Sequence, residues 1–168
     1  TSPVDGLSSN ACMTGFATDS LSIDTIFFNS SQATDSIVWK SGIQSSTQKN
    51  QEGFNIIVDG NIGNKKSQIN IEYLNDKKER GAYIGLIGAL QEKGISLHIH
   101  PDDPILVYRP FQVNPDNYIY LSDEGRIHAN LTLHDKNYTG IRFYSVADST
   151  VQQDLTVELH RIRMSEFR

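Results

Sequence analysis

Two histidines separated by one residue, His98 and His100, are the residues whose type and spacing could do chemistry. On a β-strand, side chains two positions apart project to the same side, about 6.5–7 Å from each other. Two imidazole nitrogens at that separation could hold one zinc or iron ion between them. A complete site needs at least a third ligand, and the candidates are Asp102, Asp103, His128 and His134.

The neighbours of these histidines favour a hydrated surface over a metal site. His98 would share its face of the strand with Ser96, and His128 would share its face with Arg126 and Asn130. Polar residues of this kind are mostly exposed to solvent in folded proteins. We therefore predict solvent-facing histidines, with no bound metal and no other cofactor.

No other pattern in the sequence indicates catalysis. The nucleophile motif G-x-S-x-G, the zinc motif H-E-x-x-H and the paired-glycine nucleotide motif are all missing from the sequence. The carboxylates are scattered among polar positions and turns, where no apolar setting would prepare them for acid catalysis. We expect a non-enzymatic protein.

The charge distribution and the cysteine content exclude further classes. The chain has 168 residues and a formal net charge of −5, and its lysines and arginines form no basic stretch. A nucleic-acid interface needs such a stretch, so we predict no nucleic-acid partner. Cys12 is the single cysteine, so it cannot form an internal disulfide, and we expect it to be a small buried apolar residue.

Alternation of apolar and polar residues with a period of two dominates the chain, which is typical of strands that are buried on one face. The apolar members of these segments are Leu21, Ile23 and Phe27; Phe54, Ile56 and Val58; Ile69, Ile71 and Tyr73; Ala82, Ile84 and Leu86; Ile95, Leu97 and Ile99; Ile127, Ala129, Leu131 and Leu133; Ile141 and Phe143; and Leu155, Val157 and Leu159. No segment has a convincing period of 3.6 residues, so we predict very little helix.

Polar segments that contain glycine, proline or asparagine separate these strands, as expected of turns. Examples are the segment from Asp59-Gly60 through Lys66, Asn114-Pro-Asp-Asn117 and Asp135-Lys-Asn137. Residues 33–51 are the most loop-like part of the chain, with one short strand at residues 36–40. The strand centres lie about a dozen residues apart, which is the spacing of an antiparallel meander.

We predict an all-β fold, an antiparallel meander of strands that are apolar on one face, in a single domain over residues 1–168. Such strands can be arranged in three ways. Two sheets can pack as a β-sandwich, one sheet can close into a barrel, or a long sheet can curl into a groove with an apolar lining. The alternation does not choose among them. A strongly patterned segment close to the last residue indicates a piece of a longer chain.

A series of short motifs from about residue 55 to residue 162 is similar to the large envelope proteins of the TamB group, in the AsmA-like superfamily. The motifs are, in order, Glu72-Tyr-Leu-Asn75, Gly94-Ile-Ser-Leu-His98, Pro104-Ile-Leu-Val-Tyr-Arg109, Phe111-Gln-Val-Asn114, Asp116-Asn-Tyr-Ile-Tyr-Leu121, Gly125-Arg126, Asn130-Leu-Thr-Leu133, Thr139-Gly-Ile141, Gln153-Asp-Leu-Thr-Val157 and Leu159-His160. The resemblance covers about two-thirds of the chain, and none of these motifs is catalytic.

This resemblance implies a periplasmic segment of a protein anchored in the inner membrane. It also implies a long, groove-like or taco-like β-sheet along which phospholipid acyl chains slide, and a β-barrel partner in the outer membrane that binds regions outside this segment. The groove lining would consist of Ile56, Val58, Ile69, Ile71, Ile84, Leu86, Leu97, Leu131, Leu133, Phe143 and Val157.

Two alternatives to a lipid groove stay open. The same residues could form the solid core of a β-sandwich or solenoid module that a cell-surface or adhesin protein uses for binding. A cupin-like metalloenzyme built on His98 and His100 is the other. Four aromatic residues lie close together in the sequence: Tyr108, Phe111, Tyr118 and Tyr120. We predict that they belong to the core, since aromatic side chains at strand spacing are more often buried than free to stack on a ligand.

Overall fold

The computed structural model describes residues 6–18, 21–48, 51–100, 104–146 and 154–161. In this part of the chain all regular secondary structure is β-strand, and no helix there has the length and apolar character needed to cross a membrane. The strands are β1 (Ser8–Ala17), β2 (Ser22–Gln32), β3 (Ser36–Ser45), β4 (Phe54–Gly63), β5 (Lys66–Asn75), β6 (Arg80–Gln91), β7 (Gly94–Ile99), β8 (Ile105–Leu106), β9 (Arg109–Pro110), β10 (Gln112–Val113), β11 (Tyr118–Ser122), β12 (Ile127–His134), β13 (Gly140–Tyr144) and β14 (Thr156–His160).

The 14 strands form one antiparallel sheet with the connectivity of a meander, which confirms the predicted fold class. Neighbours in the sheet follow the chain order from β1 to β7 and then from β11 to β14. The short strand β8 lies beside β6, β9 lies beside β8, and β10 lies beside β12. Because β1 and β14 occupy the two ends of this order, the sheet is not closed into a barrel. The described strands contain no second sheet, so they do not form a two-sheet sandwich.

The first part of the sheet contains more strand than the sequence pattern predicts. The short strand predicted at residues 36–40 is confirmed but is longer than predicted, because β3 runs from Ser36 to Ser45 beside β2 and β4, so much of the segment 33–51 is strand and not loop. The serine and glutamine residues there have weak strand preferences, which the backbone pairing on both sides overrides. The prediction that Cys12 is buried is wrong: it lies on β1, an edge strand whose residues are all exposed.

The predicted turn from Asp59 through Lys66 is confirmed in place but is shorter than predicted, because Asp59-Gly60 still belongs to a strand. Strand β4 continues to Gly63, and only residues 64–65 separate it from β5. A Cβ atom on Gly60 would lie 2.1 Å from the backbone oxygen of Gln68, so this glycine is required by the close approach of the neighbouring strand. Trp39 pairs with Gly60 from the other side.

Two asparagine side chains replace backbone pairing where the central strands are interrupted. The predicted break at Asn114-Pro-Asp-Asn117 is confirmed, since it separates β10 from β11. The Asn117 side chain accepts a hydrogen bond from the Ile99 backbone N–H (2.7 Å) and donates one to the Ile99 carbonyl oxygen (3.1 Å). On the other side, the Asn114 side chain accepts from the Thr132 N–H (2.7 Å) and donates to the Asn130 carbonyl oxygen (3.2 Å). These amides therefore satisfy backbone groups that a continuous strand would have paired.

The substitution Asn117→Ala is expected to lower the free energy of unfolding by about 2–4 kcal/mol, since it leaves both buried backbone groups of Ile99 without a partner. Asn117 itself is only 3% exposed, so water cannot easily replace the amide. Urea denaturation measures the loss. The matched control is Asn70→Ala, because the Asn70 amide donates one side-chain bond, to Asp59 (3.0 Å), and its loss should cost about 1 kcal/mol. Equal losses for the two variants would contradict this role of Asn117.

Candidate functional site: the apolar face of the sheet

One face of the sheet carries apolar side chains from strand to strand, and we call it the apolar face. It is defined by Val58, Ile71 and Ile84, which lie side by side on β4, β5 and β6. Directly paired residues of antiparallel strands project to the same face, and so do alternate residues along one strand. The register of the sheet therefore assigns every strand residue either to this face or to the opposite one, which we call the polar face.

Every residue predicted to line the groove lies on the apolar face. In the first half, Ile56 is two residues before Val58 on β4, and Ile69 pairs with Leu86. The remaining members are connected through the pairs Leu86–Ile99, Gly88–Leu97, Leu97–Ile119, Ile119–Ala129, Leu131–Phe143, Leu133–Ile141 and Phe143–Val157. The alternation seen in the sequence thus corresponds to one continuous surface across β4–β7 and β11–β14.

The predicted lining residues differ in how far protein atoms already cover them. Ile71, Leu97 and Val157 are 38%, 42% and 50% exposed, whereas Leu131 and Leu133 are each 5% exposed. Val113 of β10 pairs with Leu133 and extends the same face. The face consists of an open part and a part on β12 that is already packed, and only the open part leaves area for another molecule to cover.

The substitutions Leu131→Ala and Leu97→Ala test whether the packed and the open part of the apolar face contribute differently to stability. Removing the Leu131 side chain creates a cavity in a packed region and is expected to lower the free energy of unfolding by about 2–5 kcal/mol. Removing the half-exposed Leu97 side chain loses little burial, so about 1 kcal/mol is expected. Urea denaturation of both variants measures the difference. A loss at Leu97 as large as that at Leu131 would show that Leu97 is also covered.

The sequence pattern missed part of the apolar face, in the strands nearest β1. Ile26 and Phe28 of β2 lie on it, since they pair with Ile43 and Ser41 of β3. The prediction grouped Ile23 and Phe27 instead, and these two side chains lie on the polar face. Strand β2 is apolar on both sides, so its alternation could not identify the face that continues the neighbouring strands.

Trp39 is a second residue of the apolar face that the sequence did not single out. Its pairing with Gly60, which in turn pairs with Ile69, places it on this face. The indole nitrogen is buried and has no hydrogen-bond partner among the described residues. The sequence does contain a signal for this assignment, because Ile37, Trp39 and Ile43 fall at alternate positions, with Ser41 as the one polar residue in the series.

The histidines lie on the polar face, as predicted, and the described residues do not assemble a metal site around them. His98 pairs with Ile87 of β6 and donates a hydrogen bond from Nδ1 to the Asn117 carbonyl oxygen. Among the described residues, no three histidine, cysteine or acidic side chains are grouped closely enough to hold a metal ion. Asp102 and Asp103, two candidates for the third ligand, lie outside the described residues.

Two tyrosines, Tyr73 and Tyr108, contact each other near the end of β5, and Tyr73 lies on the apolar face because it pairs with Ile56. Burial raises the pKa of Tyr73, and the charge and hydrogen bond of the neighbouring Tyr108 hydroxyl raise it further. A Cβ atom on Gly81 would lie 2.8 Å from a ring carbon of each tyrosine, so the pair requires a glycine there. Tyr108 is half exposed, and the prediction that it belongs to the core is wrong.

The turn between β12 and β13 is held by a carboxylate, as the Asp135-Lys-Asn137 pattern suggests. The Asp135 side chain accepts hydrogen bonds from the backbone N–H groups of Thr139 (2.9 Å) and Asn137 (2.8 Å). The bond from Thr139 is the largest cause that lowers the pKa of Asp135 below its ordinary value. A group whose pKa is lowered in the folded state stabilises the fold at pH values above its unfolded pKa.

This carboxylate is expected to make the β12–β13 turn sensitive to acid. Its stabilising effect is complete above the ordinary aspartate pKa and is lost as the pH falls through the lower pKa of the folded state. Asp135→Asn keeps an oxygen that can accept both bonds but cannot titrate in this range. NMR of the Thr139 amide between pH 6 and pH 2, a window of about 4 units that brackets the aspartate pKa, should show acid-induced opening in the native chain only. Equal opening in the variant would exclude Asp135 as the cause.

The chain matches no protein-family model, no curated protein and no solved structure in the three comparisons. The resemblance to the TamB group therefore rests on the sequence motifs alone. What it implies for lipid, location and partner stays a prediction.

Proposed function

We propose that this chain is a segment of a periplasm-spanning envelope protein for outer-membrane biogenesis, and that its apolar face carries phospholipid acyl chains between the membranes. The observation that supports the proposal best is the continuity of this face. In the described part of the chain it extends across the series of paired strands with no second sheet over it, and it is open at Ile71, Leu97 and Val157 although packed at Leu131 and Leu133 on β12. Contiguous exposed apolar surface is rare in proteins unless another molecule covers it.

The energetics of such a surface suit an acyl chain. Each methylene group that leaves water for an apolar lining contributes about 0.8 kcal/mol. A lipid tail with many methylene groups can therefore be held without polar recognition. This agrees with the lack of charged side chains at the paired positions Val58, Ile71 and Ile84.

Movement along the face requires that no position hold the tail much more strongly than the next. A tail that moves across the strands meets Val58, Ile71 and Ile84 in turn, and these side chains are chemically alike. Ser41, which pairs with Val58, turns its hydroxyl to the Val58 carbonyl oxygen (3.2 Å). This polar group is satisfied within the sheet and offers little resistance to a passing tail.

The remaining parts of the proposal come from the resemblance. The sheet curls into a groove around the tail, the segment lies in the periplasm, and the full-length protein is anchored in the inner membrane. A β-barrel partner in the outer membrane binds regions outside residues 1–168. The role of the segment is passive, with no catalytic step.

Photo-crosslinking in cells tests the proposal at adjacent residues of opposite faces. A photoreactive amino acid at Ile71 or at Leu97 is expected to form adducts with phospholipid, because both positions are open on the apolar face. The neighbouring positions Glu72 and His98 lie on the polar face of the same two strands, and they should form no lipid adducts. Mass spectrometry of the purified protein identifies the adducts.

Two controls make the comparison strict. The four variants are compared at equal protein level, because the Glu72 variant also loses an ion pair with Arg80 (2.6 Å) in which the Glu72 side chain is only 21% exposed. A photoreactive group at Leu131, which is packed by protein, should form few lipid adducts. Equal lipid labelling on both faces, or none at Ile71 and Leu97, would overturn the proposal.

A further inference from the structure

A separate cluster of polar and aromatic side chains lies on the polar face, away from the lipid surface proposed above. Ser96 of β7 pairs with Tyr120 of β11, and Tyr120 pairs with His128 of β12. His98 and Tyr118 lie two residues away from Ser96 and Tyr120 on the same strands, so they belong to the same face. Together with Gln91 these side chains line a pocket of about 360 Å³, which we call the aromatic pocket.

Hydrogen bonds within the protein hold the walls of the aromatic pocket in place. The Tyr120 hydroxyl donates to the Lys93 carbonyl oxygen (2.6 Å), and the Tyr120 ring stacks on His128 with a centroid distance of 6.3 Å. His98 uses Nδ1 to donate to the Asn117 carbonyl oxygen, which leaves Nε2 of the neutral ring as an acceptor. A Cβ atom on Gly94 would lie 2.9 Å from the Tyr120 hydroxyl, so glycine makes room for it.

One hydroxyl group of the pocket has no partner among the described residues. Ser96 is 4% exposed and lines the pocket, and its hydroxyl forms no hydrogen bond with the described residues. The oxygen is not enclosed by protein, so water in the pocket can bond to it, and a ligand hydroxyl could replace that water.

The chemistry of the lining selects the kind of ligand. The described residues that line the pocket include no aspartate, glutamate, lysine or arginine, so none of them would balance the charge of an anion or a cation as a carboxylate, ammonium or guanidinium group does. The lining offers hydroxyl, amide and imidazole groups that can both donate and accept, together with tyrosine ring faces that attract C–H groups. A neutral ring with many hydroxyl groups and an apolar C–H face has the matching properties, and a pyranose sugar is such a ring.

We propose that the aromatic pocket binds a sugar ring of a neutral glycan. The partly exposed Tyr118 ring, which is 36% exposed, contacts the C–H face of the sugar, and Ser96 and His98 form hydrogen bonds with its hydroxyl groups. The volume of the pocket is at the lower end of the range of about 300–1,000 Å³ for ligand sites, which suits one or two rings. This site is independent of the apolar face, since it lies on the opposite side of the sheet.

Binding of three short oligosaccharides to the purified chain tests the proposal. The probes are cellotriose, chitotriose and maltotriose, and saturation-transfer NMR with titration calorimetry detects their binding. At least one of them should bind, and Tyr118→Ala and Ser96→Ala should each weaken that binding about tenfold. Tyr138→Ala is the control, because Tyr138 is an exposed tyrosine in the β12–β13 turn that does not line the pocket.

The Ser96→Ala variant distinguishes binding from folding. Its hydroxyl has no partner among the described residues, so removing it should leave thermal stability unchanged while sugar binding falls. Failure of all three sugars to bind overturns the proposal, and so does equal binding by the native chain and both pocket variants. Adenosine is tested in parallel, because a nucleobase could also stack on Tyr118. Binding of adenosine with no sugar bound would assign the pocket to another class of ligand and overturn the proposal as well.

Discussion

The register of backbone pairing is the constraint on which both surfaces of this protein depend. Side chains alternate between the two faces with a period of two, so a shift of one residue in any strand would move all its apolar side chains to the polar face. Regular antiparallel pairing keeps Val58, Ile71 and Ile84 side by side. The irregularity between Tyr73 and Leu74 lies near the end of β5, so the residues before it keep their faces.

The interruption in the middle of the sheet is where this register is most at risk. Strands β7 and β11 separate there, and the side chains of Asn114 and Asn117 take over the bonds to Thr132 and Ile99. An asparagine amide carries one donor group and one acceptor oxygen, as a peptide unit does, so it can satisfy a backbone N–H and a backbone carbonyl together. The same amide bonding places the Asn117 carbonyl oxygen where His98 can donate to it.

In the two proposals, the faces of the sheet bind their ligands by different physics. On the apolar face, binding free energy depends on the area removed from water and hardly on position, which suits a flexible tail that moves. On the polar face, hydrogen-bonding groups at fixed places around Ser96 suit one ring in one orientation. A single sheet can carry both surfaces, because the strand alternation that makes one side apolar leaves the other side free for polar side chains.

Alternation is a local property, so the sequence alone identified β4 to β7 and β12 to β14 as strands and predicted which of their side chains share a face. It did not identify β8 to β11, because β8, β9 and β10 have two residues each and β11 is apolar at successive positions. Two further features escaped it for local reasons: β2 is apolar on both sides, and Val107-Tyr108 adopts positive φ angles (51° and 61°) in the β8–β9 turn without the usual glycine or asparagine. Tertiary structure decided what covers each face. Leu97 and Leu131 alternate with polar residues in the same way, but only Leu131 is packed, because burial depends on which distant segments lie above a side chain.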